Sequence, residues 1–259
     1  NGEQYIGQCI DSVLQQDLNL PLEIIVHDDA SSDNSVSFIK SNYPQVTLLE
    51  SKENKGFCIS NNRMVEVAKG KNILLLNNDA VLHHDALRTL QEALDKHGDG
   101  IYGLPQYNME TGELIDIGSI FDPFLNPVPN LNKKREDVGM IIGACLFLPN
   151  ELWQILGGFP PWFESLAEDM YICCLARLRG YPVKAIPYSG FDHWVGRSLG
   201  GGKVTNKKKL STTLNRRAKS ERNKTFVMIL TTPSEMFYPL ICCHLMMLAF
   251  EGVTVCLLQ

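Results

Sequence analysis

Short acidic groups at expected element ends carry the chemistry this sequence can offer. Asn77-Asn78-Asp79 follows an apolar run, Ile73 to Leu76. A carboxylate at the end of a buried strand can hold a divalent cation, and a cation there neutralises a diphosphate. The same triplet suits a turn, because Asn and Asp side chains bond their own backbone. Asp28-Asp29 sits at the end of a second apolar run, Leu22 to Val26. A carboxylate there can accept a hydrogen bond from a nucleobase or ribose, or cap the helix that follows. Glu168-Asp169 opens a helical stretch. The helix dipole favours acids in a first turn. It also keeps a carboxylate ionised, as a general base for an acceptor hydroxyl requires.

Two further groups lie downstream. His193, in Phe191-Asp192-His193-Trp194, reads either as a structural histidine or, where it faces a cation, as a ligand through one ring nitrogen. Arg197-Ser198 and Gly200-Gly201-Gly202 form a cationic, glycine-rich stretch. Such a stretch can fold over a diphosphate, and it also suits an ordinary surface loop.

The elements that must position these groups follow from periodicity. Tyr5, Ile6, Cys9, Ile10, Val13 and Leu14 keep a helical period. Short strands are expected over 22–26, 46–49, 72–76, 140–148 and 182–186. Helices are expected to about Asn42 (capped from Ser31-Ser32-Asp33), over 59–68, 85–97 with Gly98 as cap, 150–156 capped by Asn150, and 167–179 with Gly180 as cap. Residues 101–131 are rich in Gly, Pro and Asn and read as short strands and loops. Alternating strands and helices predict an α/β fold with a mostly parallel sheet flanked by helices. Ligands bind such sheets beyond the carboxyl ends of the strands, so the two strand-end carboxylate clusters, Asp28-Asp29 and that of Asp79, should face one crevice.

Composition sets the outer bounds. The chain has 259 residues, 44% of them hydrophobic and 20% charged, as in an ordinary globular protein. A net charge of -5 speaks against a nucleic-acid partner, which needs clustered positive charge. The 8 cysteines form no CxxC pair and mostly sit in apolar runs. That excludes the usual zinc and redox spacings and suits a reduced, cytoplasmic setting. No secretory signal is visible, and a G-x-G-x-x-G turn, which a nicotinamide-dependent oxidoreductase would need, is absent.

The order of these segments resembles the inverting family 2 glycosyltransferases of GT-A fold, in particular their rhamnosyltransferase-like branch. The resemblance rests on LEIIVHDDASSDN (22–34), ENKGFCISNNR (53–63), LLLNNDAV (74–81), Gly143-Ala144-Cys145, GGFPPWFESLAEDMYICCLARLRGY (157–181) and His193. It covers the chain from Tyr5 to about Asn223. It implies a nucleotide-sugar donor, dTDP-rhamnose or a UDP-sugar, with Asp28 on the base and Asp29, Asn78 and Arg197 nearby. Gly56 and Asn62 would shape the nucleotide pocket. Asp79, Asn77 and His193 would hold a divalent cation, Mg2+ or Mn2+. Asp169 would be the catalytic base and Glu168 would place the acceptor. It also implies a first strand before Asn1. The sequence departs from the family pattern in the Asn77 of the metal triplet, and in Tyr171 and Leu175, where the family often has Asp and Arg. No Gln-x-x-Arg-Trp segment of processive synthases occurs, so single addition is expected.

The resemblance divides the chain into a catalytic domain, 1–202, and a tail, 203–259. Lys203 to Lys224 holds nine Lys or Arg against Glu221 alone, and Met236 to Phe250 is apolar apart from His244. That run is shorter than the roughly 18 residues of a spanning helix. It reads either as a segment lying on the inner face of the plasma membrane, near a saccharide or lipid-linked acceptor, or as a helix packed on the catalytic domain. The expected function is sugar transfer in cell-surface polysaccharide or glycolipid synthesis. The alternative is a non-catalytic sugar-nucleotide-binding or scaffold protein of the same fold.

Overall fold

The computed structural model describes residues 1–194 and 214–257. In chain order the elements are α1 (Glu3–Leu14), β1 (Ile25–Asp28), α2 (Ser35–Asn42), β2 (Thr47–Glu50), α3 (Phe57–Val67), β3 (Asn72–Leu76), β4 (Ala80–Leu82) and α4 (Ala86–His97). Then come β5 (Ile101–Gly103), β6 (Gln106–Asn108), β7 (Leu114–Asp116), β8 (Ser119–Phe121), β9 (Pro127–Pro129), β10 (Cys145–Pro149) and α5 (Asn150–Leu156). The chain continues through α6 (Glu168–Leu178), β11 (Val183–Ala185), β12 (Phe191–His193), α7 (Leu214–Thr231) and α8 (Ser234–Leu257).

The α/β class and the helical C-terminal tail hold. Strand pairing is mixed rather than mostly parallel. β1–β2, β5–β11 and β6–β12 run parallel, whereas β3–β10, β5–β10, β4–β12, β6–β7 and β8–β9 run antiparallel. The central sheet has the order β11-β5-β10-β3. Inserting β10 between β3 and β5 reverses the direction there, which an α/β alternation in sequence does not reveal.

The sheet sits between apolar layers because its strands alternate. Leu146 and Leu148 of β10 join Ile73 and Leu75 of β3 in one cluster, with Leu152 of α5 and Ile172 of α6. Cys145 and Phe147 point to the other cluster, with Leu87 and Leu90 of α4. A strand presents successive side chains to opposite faces, so each face needs its own helices. A third cluster, Ile6, Ile10, Ile39 and Tyr43, binds α1 and α2 to β1 and β2.

Local boundaries differ from the sequence reading in informative places. The first strand begins at Ile25 rather than Leu22 and takes in Asp28. The run from Met140 becomes strand only at Cys145; Gly143 turns its N–H to Asp169 instead. Asn150 is the first residue of α5, after Pro149, so it is not a cap. Gly180 follows the C-cap Arg179, at φ 84°.

The described part of the tail packs into the core. Val227 and Met228 of α7 are fully buried, and Val227 belongs to the main cluster. α8 buries His244 but leaves Met246, Phe250 and Val253 largely exposed. Among the described residues no helix is long and apolar enough to cross a membrane. The cysteines of known state are free, with Cys9, Cys58, Cys145 and Cys173 buried.

Candidate active site

The turn between β3 and β4 carries Asp79. Its carboxylate is almost fully buried, and Oδ1 lies 3.0 Å from His193 Nε2. Antiparallel pairing of β4 with β12 sets Ala80 opposite His193, which brings the two side chains together. His193 Nδ1 lies 2.9 Å from the amide of buried Gln106 on β6, the parallel neighbour of β12. Asp79 Oδ2 is buried without a hydrogen-bond partner. A buried carboxylate oxygen left unpaired is costly, and a cation would satisfy it. The residues present therefore fit a divalent cation bound by Asp79 and His193. Among the described residues no group of three His, Cys, Asp or Glu side chains gathers to hold a metal, so such an ion would need donors from its ligand or water. Asn77 bonds through its backbone, to Ala144 O at 3.0 Å and from Ala80 N at 3.1 Å. Asn78 is exposed. Arg197 lies outside the described residues.

Glu168 and Asp169 begin α6. Asp169 Oδ2 accepts from Gly143 N at 3.0 Å and Oδ1 from Met170 N at 2.7 Å. Glu168 Oε2 is buried without a partner. Burial raises both carboxyls. Glu168 is pushed up to about 8, first by burial and then by the charge of Asp169. Asp169 is raised by burial, with the backbone donors opposing the shift. Two adjacent buried carboxylates cannot both ionise cheaply. The backbone N–H groups favour the charge on Asp169, leaving the proton on Glu168. The site therefore offers an acceptor of protons beside a donor of hydrogen bonds.

The two halves meet at the end of β3. Asp169 bonds Gly143, the next residue Ala144 bonds Asn77, and Cys145 pairs with Leu76. Asp169 and the turn that carries Asp79 are thus linked through residues 143–145 at the end of β3. Glu168-Asp169 follows a strained turn, with Glu164, Leu166 and Ala167 at φ 62°, 74° and 65°. Such conformations cost roughly 1–3 kcal/mol each in non-glycine residues and persist where the surroundings enforce them.

The residues expected at the donor nucleotide have specific structural partners. Asp28 is buried and accepts from Ser31 N at 3.1 Å. Asp29 accepts from Lys55 N at 2.7 Å and Gly56 N at 2.8 Å, which fixes the loop entering α3. Gly56 has φ 86°, and a Cβ there would lie 3.3 Å from Glu164 O, so glycine suits the position twice over. Asn62 bonds the backbone of Phe159 with both amide atoms, at 2.8 and 3.0 Å. Its polar groups thus brace the 157–159 segment. Gln106 was not singled out by the sequence reading; only its pairing with the strand of His193 reveals it.

The profile of glycosyl transferase family 2 matches residues 1–154. The chain belongs to that family. The family match ends before Glu168. Over 178 residues this family 2 chain is 29% identical to a chondroitin synthase of Pasteurella multocida, covering 66% of the chain and 18% of the relative. Over 92 residues it is 33% identical to a poly(ribitol-phosphate) beta-glucosyltransferase of Bacillus spizizenii, covering 34% and 14%. The chain thus spans less than a fifth of these relatives' own length. Its fold resembles TarS of S. aureus (TM-score 0.63, 15% identity, 88% of this chain and 38% of that one). It also resembles the mannosyltransferase PcManGT of Pyrobaculum calidifontis, solved with GDP-Man and Mn2+ (TM-score 0.63, 18% identity, 93% and 65%). GalNAc-T7, solved with UDP, GalNAc and Mn2+, is a third (TM-score 0.65, 16% identity, 87% and 45%). These similarities establish the GT-A fold.

Proposed function

We propose that this chain transfers a glycosyl group from a nucleotide-diphosphate sugar to an acceptor hydroxyl, with inversion, in the assembly of a polysaccharide or glycolipid. The observation that supports the reading is the backbone link between the two carboxylates: Asp169 accepts from Gly143 N, and Asn77, two residues before Asp79, donates to Ala144 O. Asp169 takes the proton of the acceptor hydroxyl. The acceptor oxygen forms its bond to the anomeric carbon as the bond from that carbon to the diphosphate breaks, and the nucleoside diphosphate leaves. Glu168, protonated, donates a hydrogen bond to the acceptor. Asp79 and His193 would hold Mg2+ or Mn2+, which supplies positive charge to the leaving diphosphate. Asp28 faces the donor nucleoside, and Asp29 and Gly56 shape the loop beside it. Structures of the same fold solved with UDP, GDP-Man and Mn2+ support this class of donor; a UDP-sugar and dTDP-rhamnose both fit it.

The tail, residues 203–259, would lie against an anionic membrane surface. The excess of Lys and Arg over acids in residues 203–224 and the exposed Met246, Phe250 and Val253 of α8 support this reading. Sedimentation with phosphatidylglycerol vesicles that is lost with phosphatidylcholine would bear it out; binding to neither would sink it.

The deciding experiment is calorimetric titration with UDP and dTDP, with and without Mn2+, alongside turnover of Asp169→Asn. Metal-dependent binding that weakens in Asp79→Ala, with turnover lost but binding kept in Asp169→Asn, is expected. A fall of about a thousandfold is in the range for removal of a general base. Metal-independent nucleotide binding without sugar release would instead favour a non-catalytic binding protein, a reading that Asn77 in the metal triplet keeps open.

A further inference from the structure

Asn223 lies on α7, far in sequence from every site residue, and is fully buried. Its Nδ2 sits 3.0 Å from Phe163 O, 3.0 Å from Ser165 O and 2.8 Å from Leu166 O. Carbonyl oxygens only accept, so their convergence fixes which end of the amide faces the turn. The turn it grips is the strained one, where Glu164, Leu166 and Ala167 take positive φ immediately before Glu168. A conformation disfavoured by its own residues must be held by something outside it. Other tethers act beside it: Ser165 N donates to Phe163 O at 2.7 Å within the turn, and the Phe163 ring is fully buried in the main core cluster. Cys58 N donates to Glu164 O at 3.0 Å, and Lys219 of α7 reaches the Glu164 carboxylate at 2.6 Å on a partly exposed surface.

We propose that Asn223 is a positioning residue for the Glu168–Asp169 pair: its amide clamps the carbonyls of Phe163, Ser165 and Leu166 and so holds the strained turn that aims both carboxyls. α7 then supports the active site through this one side chain, whatever surface the tail meets. The inference rests on the proposed transfer reaction only for its kinetic readout. The groups around the pair are Cys58 on α3, Cys173 and Cys174 on α6, and Arg216 on α7. Loosening the turn admits water to this set, and the titration of Glu168 then moves down towards the ordinary carboxyl range.

The test compares Asn223→Ala with Val227→Ala, a truncation one turn further along α7 that leaves the turn's hydrogen bonds intact. For Asn223→Ala, kcat falls about 100-fold, as expected for a misplaced reacting group, with donor KM within about threefold of the parent. In the same variant the Glu168 carboxyl, followed by 13C NMR on selectively labelled protein, titrates at lower pH. Val227→Ala loses thermal stability but keeps kcat and the Glu168 titration. If Asn223→Ala keeps both readouts at parent values, or if Val227→Ala shifts them equally, the proposal is overturned. Should Asn223→Ala fail to fold, Asn223→Ser, which retains one donor, is read in the same way. The NMR titration needs no turnover, so a chain inactive as a transferase still decides the role of Asn223.

Discussion

Asp79 and His193, 114 residues apart, meet at 3.0 Å with Gln106 closing the far side of the imidazole at 2.9 Å. Where the amide N–H of Gln106 faces Nδ1, Nδ1 accepts and the ring proton belongs on Nε2, donated to Asp79. Binding a cation through Nε2 requires the other tautomer. Gln106 can serve both states, because turning its amide presents the carbonyl oxygen to Nδ1–H. The expected outcome is a switch of tautomer on adding Mg2+ and nucleotide, read from the 15N shifts of the His193 ring. Gln106→Leu should weaken Mg2+ affinity by about 10- to 100-fold, the usual effect of losing the partner of a ligating histidine. An unchanged ring spectrum on saturation with both would remove His193 from the cation site.

With Asp169 as base and Glu168 as donor to the acceptor, as proposed, the carboxyl pair predicts a bell-shaped pH profile. Acidification protonates Asp169, raised by burial, and removes the base. Alkali removes the Glu168 proton near pH 8, and with it the hydrogen bond to the acceptor. The two limbs belong to the pair as a whole. Glu168→Gln keeps a donor and cannot ionise. It should hold the acid limb and abolish the alkaline one. A persisting alkaline limb in that variant would assign it elsewhere.

Stability carries the same signature with a definite sign. Unfolded, Glu168 titrates near its ordinary value of 4.5; folded, near 8. Between those values the folded chain binds the extra proton, so this contribution is whole at low pH and is lost as pH rises through 8. The parent's thermal midpoint should fall between pH 5 and pH 8.5, and that of Glu168→Gln should fall less. Parallel slopes would show that Glu168 is not held protonated.

The sequence made Asp79, His193 and the Glu168-Asp169 pair visible because acids after apolar runs mark strand ends and helix starts. Their mutual placement was not visible. Strand order depends on β10 entering between β3 and β5, a tertiary event that no local pattern encodes. Gln106 and Asn223 were silent for another reason: an amide in a strand or helix looks like any polar surface residue until its burial is known. Asn62 was read as part of a nucleotide pocket, whereas its amide is engaged by the backbone of Phe159.

Asn62 and its neighbour Asn61 therefore predict losses of different size for the same substitution. Asn61 donates to Phe57 O, a turn back in its own helix, at 2.9 Å. Asn62 reaches 97 residues along the chain to the N–H and C=O of Phe159, whose ring stacks near Phe57 at the entry to α3. Asn62→Ala leaves both backbone groups of a buried residue unpaired, at about 1–3 kcal/mol each. We expect about 2–4 kcal/mol of lost stability in urea unfolding, together with weaker nucleotide binding as the α3 entry loosens. Asn61→Ala should cost about 1 kcal/mol, a single local bond. Equal losses would mean that the link from α3 to the 157–159 segment is not what joins these two parts of the site.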